Sequence, residues 1–66
     1  MDSIDWLKKA DADLNQGRYK EAIQNYEKIL ETNPDNVGAW INKGVALFSL
    51  RKYEEALQAN RRVRLL

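Results

Sequence analysis

The side chains in this 66-residue chain that could do chemistry are carboxylates, ammonium and guanidinium groups, and a few hydroxyls and amides; there is no histidine and no cysteine. General base work near neutral pH therefore lacks its usual imidazole, and covalent catalysis lacks a thiolate. Two carboxylate pairs have the spacing to act together, Asp11/Asp13 and Glu27/Glu31. Paired acids become catalytic only where an enclosed site splits their pKa values, and nothing in the local sequence suggests one. Both pairs are expected to be solvated helix faces. Gly17, Gly38 and Gly44 are too scattered to form a phosphate-cradling loop. The chain is thus expected to be no enzyme, with no catalytic residue, no cofactor and no metal site. With no cysteine, disulfides and thiolate ligands are excluded as braces.

The basic cluster Arg61-Arg62-Val63-Arg64 raises the possibility of nucleic-acid binding. Against it, the pI of about 8.0 lies below the range usual for such domains, and the aromatic side chains are expected in the core. The cluster reads as a solvated terminal face. Net charge is +1, but residues 1–36 hold eight acids and five bases (−3), and residues 37–66 hold two acids and six bases (+4). This asymmetry biases association toward head-to-tail contact, weakly once salt screens it. The longest apolar run, Gly44 to Phe48, is five residues, far below the ~20 that cross a bilayer. Met1-Asp2-Ser3-Ile4-Asp5 lacks the basic-then-apolar order of a secretion signal. A cytoplasmic location is the default expectation, with no membrane and no nucleic acid as partner.

The elements that position these groups follow from an internal repeat. Offset by 34 residues, Trp6 falls on Trp40, Lys9 on Lys43, Ala12 on Ala46, Tyr19 on Tyr53, Glu21 on Glu55, Ala22 on Ala56 and Gln24 on Gln58. A period of this length marks stacked supersecondary units. Within the first unit Tyr19, Ala22, Ile23, Tyr26, Ile29 and Leu30 recur at helical spacing and form one apolar stripe. Asn33-Pro34 ends that helix, Asp35-Asn36 offers an N-cap for the next, Asp2 or Ser3 can cap the first, and Gly17 suits a left-handed helix terminus. The spacing predicts helices at about 3–15, 19–32, 37–50 and 53–65.

Trp6, Ala10, Gly17, Tyr19, Ala22, Tyr26, Ile29 and Pro34, largely repeated by Trp40, Gly44, Tyr53, Ala56 and Val63, resemble the tetratricopeptide repeat signature. The resemblance covers nearly the whole chain. It implies an all-α fold of two antiparallel helical hairpins stacked as a short right-handed α-solenoid. The chain is then a single domain over 1–66, with repeat 1 at about 3–36 and repeat 2 at about 37–66; the second lacks a terminal Asn-Pro turn and capping helix. Trp40 is expected among the most buried side chains, because its helix is apolar almost all round. Asp11 and Asp13, standing where the second unit has Val45 and Leu47, suggest an uncovered first end. Asn60 and Arg64, replacing Tyr26 and Leu30, make the last helix polar on its outer side.

The resemblance also implies a concave protein-binding groove along the first helix of each hairpin. Its candidate residues are Ile4, Leu7, Lys8, Asp11, Leu14 and Asn15, then Ile41, Asn42, Val45, Phe48 and Ser49. Much of this surface is apolar and suits a peptide, a helix or another subunit. A carboxylate clamp of the kind some family members carry is not expected, because only Asn42 fits it, while Leu7 and Asp11 stand where lysine and asparagine would be. The expected role is a non-catalytic protein–protein interaction module. The alternative is a self-associating unit or a truncated or engineered scaffold. A homodimer is favoured, with domain swapping as one route because Arg51 stands in place of Gly17 at the second turn.

Overall fold

The computed structural model describes the backbone of residues 3–66 and the side chains of residues 5–66. Four α-helices follow in order: α1 (Ser3–Asn15), α2 (Tyr19–Thr32), α3 (Val37–Ser49) and α4 (Tyr53–Leu65). The expected boundaries agree, except that Leu50 caps α3 instead of extending it. The caps expected from Asp2 or Ser3 lie outside the described residues. Helices α1 and α2 pack as one pair, α3 and α4 as another, and α3 joins them by lying on α2 with a smaller contact to α1.

The two hairpin turns close alike. Gly17 takes φ 78°, its N–H bonds the Leu14 carbonyl at 3.1 Å, and the Arg18 N–H bonds Asp13 O at 2.8 Å. At the second turn Arg51 takes φ 63°, with Arg51 N–H on Phe48 O and Lys52 N–H on Leu47 O, both at 2.9 Å. Both are left-handed helix ends that satisfy the last free carbonyls. Arg51 pays for the same geometry with Cβ strain that Gly17 escapes, about 1 kcal/mol. Between the hairpins, Asn33 N–H caps the Ile29 carbonyl at 2.8 Å, and the Asn36 side chain accepts from Ala39 N–H at 3.0 Å.

The core sits under α2, which lies between α1 and α3. Tyr26 and Ile29 are the largest fully buried side chains, clustered with Ala10, Ala22, Leu30 and Ala39. The alanines let the helix backbones approach, and Tyr26 fills the space between them. Trp40 is not at this centre: it is half-buried. Its indole N–H reaches out to the Pro34 carbonyl at 2.7 Å, and Lys43 and Arg62 lie over its ring. The expectation failed because α3 is covered toward α2 and α4, with a smaller contact to α1, where Ala39, Ala46 and Leu47 are buried; Ile41, Val45 and Phe48 remain exposed.

Candidate protein-docking site

The two acids expected on a solvated end of α1 instead hold the helices together. Asp13 is buried and accepts from Asn25 Nδ2 at 2.9 Å and from the Arg18 guanidinium at 3.1 Å. Asp11, half-buried, accepts on one oxygen from both the Tyr26 hydroxyl and Asn42 Nδ2, the latter at 3.0 Å. One carboxylate thereby ties α1, α2 and α3 together. Burial pushes the Tyr26 phenol well above its ordinary pKa, and the hydrogen bond to Asp11 and its negative charge push the same way. Thirty-four residues on, the pair Asp13·Asn25 becomes Leu47·Ala59, both buried. A polar pair in one hairpin is an apolar pair in the other, so Asp13 never marked an outward surface. Glu27 and Glu31, by contrast, are exposed as expected, Glu27 lying 3.8 Å from Lys43.

Among the other expected groove residues, Leu7 and Leu14 pack partly buried against the core cluster, Lys8 and Asn15 are exposed, Asn42 is engaged by Asp11, and the side chain of Ile4 lies outside the described residues. Ile41, Val45, Phe48 and Ser49 come together in an open groove of about 500 Å³. Its opposite wall is α4: Tyr53, Ala56, Leu57 and Asn60, with Trp40 and Gly44 in its lining. Ile41 is 48% exposed, Val45 47%, Phe48 63%, Tyr53 54% and Leu57 51%. That is a contiguous apolar face on one side of a small molecule. The Phe48 and Tyr53 rings meet edge-on with centroids 5.1 Å apart, so Tyr53, expected in the core, lies in the open beside the groove residue Phe48.

The α4 wall was not anticipated, although the repeat carried the signal. Each lining residue is the 34-residue image of one in the first hairpin: Trp6, Leu7, Ala10, Asp11, Leu14, Asn15, Tyr19, Ala22, Ile23 and Tyr26. Ala10, Ala22 and Tyr26 are wholly buried there, on the side where α3 lies on α2. The groove is the corresponding surface of the second hairpin, which no other helix among the described residues covers.

A family model described as tetratricopeptide repeat matches residues 7–65. Among curated proteins, the chain is 40% identical over 55 residues to a TPR repeat-containing protein of Methanocaldococcus jannaschii, covering 83% of this chain and 10% of that protein. It is 43% identical over 42 residues to an uncharacterized protein of the same organism, covering 64% of this chain and 49% of that one. A 45-residue match at 36% identity is to protein O-mannosyl-transferase Tmtc3 of Drosophila melanogaster, covering 68% of this chain and 5% of that protein. The chain thus spans at most about half the length of these relatives. Among the described residues no helix is long and apolar enough to cross a membrane.

Proposed function

The chain belongs to the tetratricopeptide repeat family, matched over residues 7–65, and from that premise we propose that it is a non-catalytic interaction module that docks a helix or peptide in the α3/α4 groove. The family is generally one of protein-interaction repeats, and the observation that carries the reading here is the exposed apolar face of Ile41, Val45, Phe48, Tyr53 and Leu57. Such a face gains free energy only when something covers it, at roughly 25 cal/mol per Å² of apolar area removed from water. Selection of displayed helical peptides on the folded chain tests this. Peptides enriched on the wild type should lose binding to Phe48→Asp, whose helicity should persist because Phe48 packs on the outside. Selected peptides that bind Phe48→Asp equally well would place docking elsewhere.

A second reading is self-association, in which two copies cover their apolar faces mutually as a homodimer, or exchange α4 through the strained turn at Arg51 (φ 63°). Light scattering from micromolar to millimolar concentration distinguishes it, since a chain that stays monomeric and folded throughout leaves only the docking of other partners.

A further inference from the structure

A second recess lies between α2 and α4, on another side of α3 from Ile41, Val45 and Phe48. Among the described residues the backbones of α2 and α4 do not approach one another, because α3 packs against both and holds them apart. The furrow left between them has a volume of about 500 Å³. Its floor is apolar: Leu47 and Ala59 are buried there and Ile23 is half-buried. Its rim carries three bases, Lys43, Lys52 and Arg62, against two acids, Glu27 and Glu55, which leaves one positive charge.

That surplus charge sits at Arg62. Lys43 is paired with Glu27 at 3.8 Å, and Lys52 and Glu55 stand three apart at the start of α4, a spacing at which opposite charges offset one another. No described residue gives Arg62 an ion-pair partner. Its guanidinium carbon lies 5.7 Å from the Trp40 ring centroid, and the indole is itself anchored by its N–H on the Pro34 carbonyl at 2.7 Å. A guanidinium over an indole is ordered while its N–H edge stays free, and that edge matches the two oxygens of a carboxylate. A single surplus charge also suits a carboxylate better than a doubly charged phosphate ester. From Arg62 back to Glu55 is seven residues of α4, about 10 Å, which an extended peptide crosses in about three residues. In such a peptide, side chains two apart share a face, so an acid on Arg62 sets its second neighbour over the Leu47–Ala59 floor.

We propose that the α2/α4 furrow takes an extended acidic segment of a partner polypeptide, with a carboxylate side chain on Arg62 and an apolar side chain two residues away on the Leu47–Ala59 floor. It is a second docking site, and it stands whether or not the α3/α4 groove binds anything. Its test uses peptides with acetylated and amidated ends, so that no terminal charge competes. One carries Leu-Ser-Glu-Ser-Leu, which serves either chain direction, and the control carries Leu-Ser-Gln-Ser-Leu. Fluorescence anisotropy at low salt should show the Glu peptide binding about fivefold tighter than the Gln control, and added salt should narrow the gap. Arg62→Gln, an exposed change checked by circular dichroism, should abolish the difference. On the wild-type chain the site is located by nuclear magnetic resonance: the Glu peptide should shift the amides of Ile23, Leu47 and Gln58 and the Trp40 indole N–H. Equal affinity for the two peptides, binding of neither, a Glu preference that survives Arg62→Gln, or shifts confined to Ile41, Val45 and Phe48 would each overturn the assignment.

Discussion

Replacing Tyr26 by phenylalanine removes one oxygen from the point where three helices meet. The ring stays, so the fully buried volume of Tyr26 is kept and no cavity opens. What goes is the hydroxyl donated to Asp11. Hydrogen bonds to charged groups contribute about 1.5–3 kcal/mol. Asp11 retains Asn42 as a donor and is half-exposed to water, so the lower part of that range applies, about 2 kcal/mol. Against a total of roughly 3–5 kcal/mol for a domain this small, that is a large fraction. At about 4–8 °C per kcal/mol for this size class, Tyr26→Phe should melt about 8–16 °C lower by circular dichroism. Because Tyr26 and Asn42 share one acceptor, Asn42→Ala and the double variant should not add, and the cycle should show a coupling. The phenol supplies a second readout. Its pKa is raised in the folded chain, so its contribution is fully present below the unfolded value of about 10 and is lost as pH rises from there toward the folded value. The wild type should lose stability above pH of about 10 more steeply than Tyr26→Phe. A variant melting within about 2 °C of wild type, with parallel alkaline profiles, would refute the account of Asp11 as a junction.

Gly44→Ala should stabilise by about 1 kcal/mol in urea denaturation, since a Cβ there meets Ala59 Cβ at 3.7 Å and the Ala56 carbonyl at 3.8 Å, ordinary contact distances; Ala10 already stands at the matching place. Arg51→Gly should raise stability by a few tenths to about 1 kcal/mol by relieving the left-handed backbone at φ 63°, and should shift any α4-exchanged dimer seen by light scattering toward monomer. No change in either quantity would mean that the turn is unstrained.

The helices were legible almost to the residue because period, Pro34, Asn36 and Gly17 are local signals that agree. Burial was less legible, because it depends on which faces acquire neighbours. Trp40 looks like core by type, yet it edges the turn at Pro34, whereas Tyr26 is sealed by α3. Asp13 was misread for a related reason: its partner Asn25 lies on another helix, and a charge whose partner is distant in sequence resembles a solvated one. The groove was half legible. Its α3 wall follows from the apolar excess at Ile41, Val45 and Phe48, but Tyr53 and Leu57 emerge only once the second hairpin is compared with the first, whose corresponding surface lies against α3.

The descent in burial along the chain also shapes how the molecule opens. Helix α2 buries five side chains, Ala22, Asn25, Tyr26, Ile29 and Leu30, while α4 buries Ala59 alone among its residues and, among the described residues, its backbone approaches only α3. Cooperative units separate where contacts are fewest, and the strained Arg51 turn lies at that seam. Helix α4 should therefore lift away before the α1–α2–α3 unit dissolves, its amides exchanging with solvent well ahead of those of α2. A guest in the groove grips α3 and α4 at once, so it would close this fraying end and pass its binding free energy to the least protected quarter of the chain.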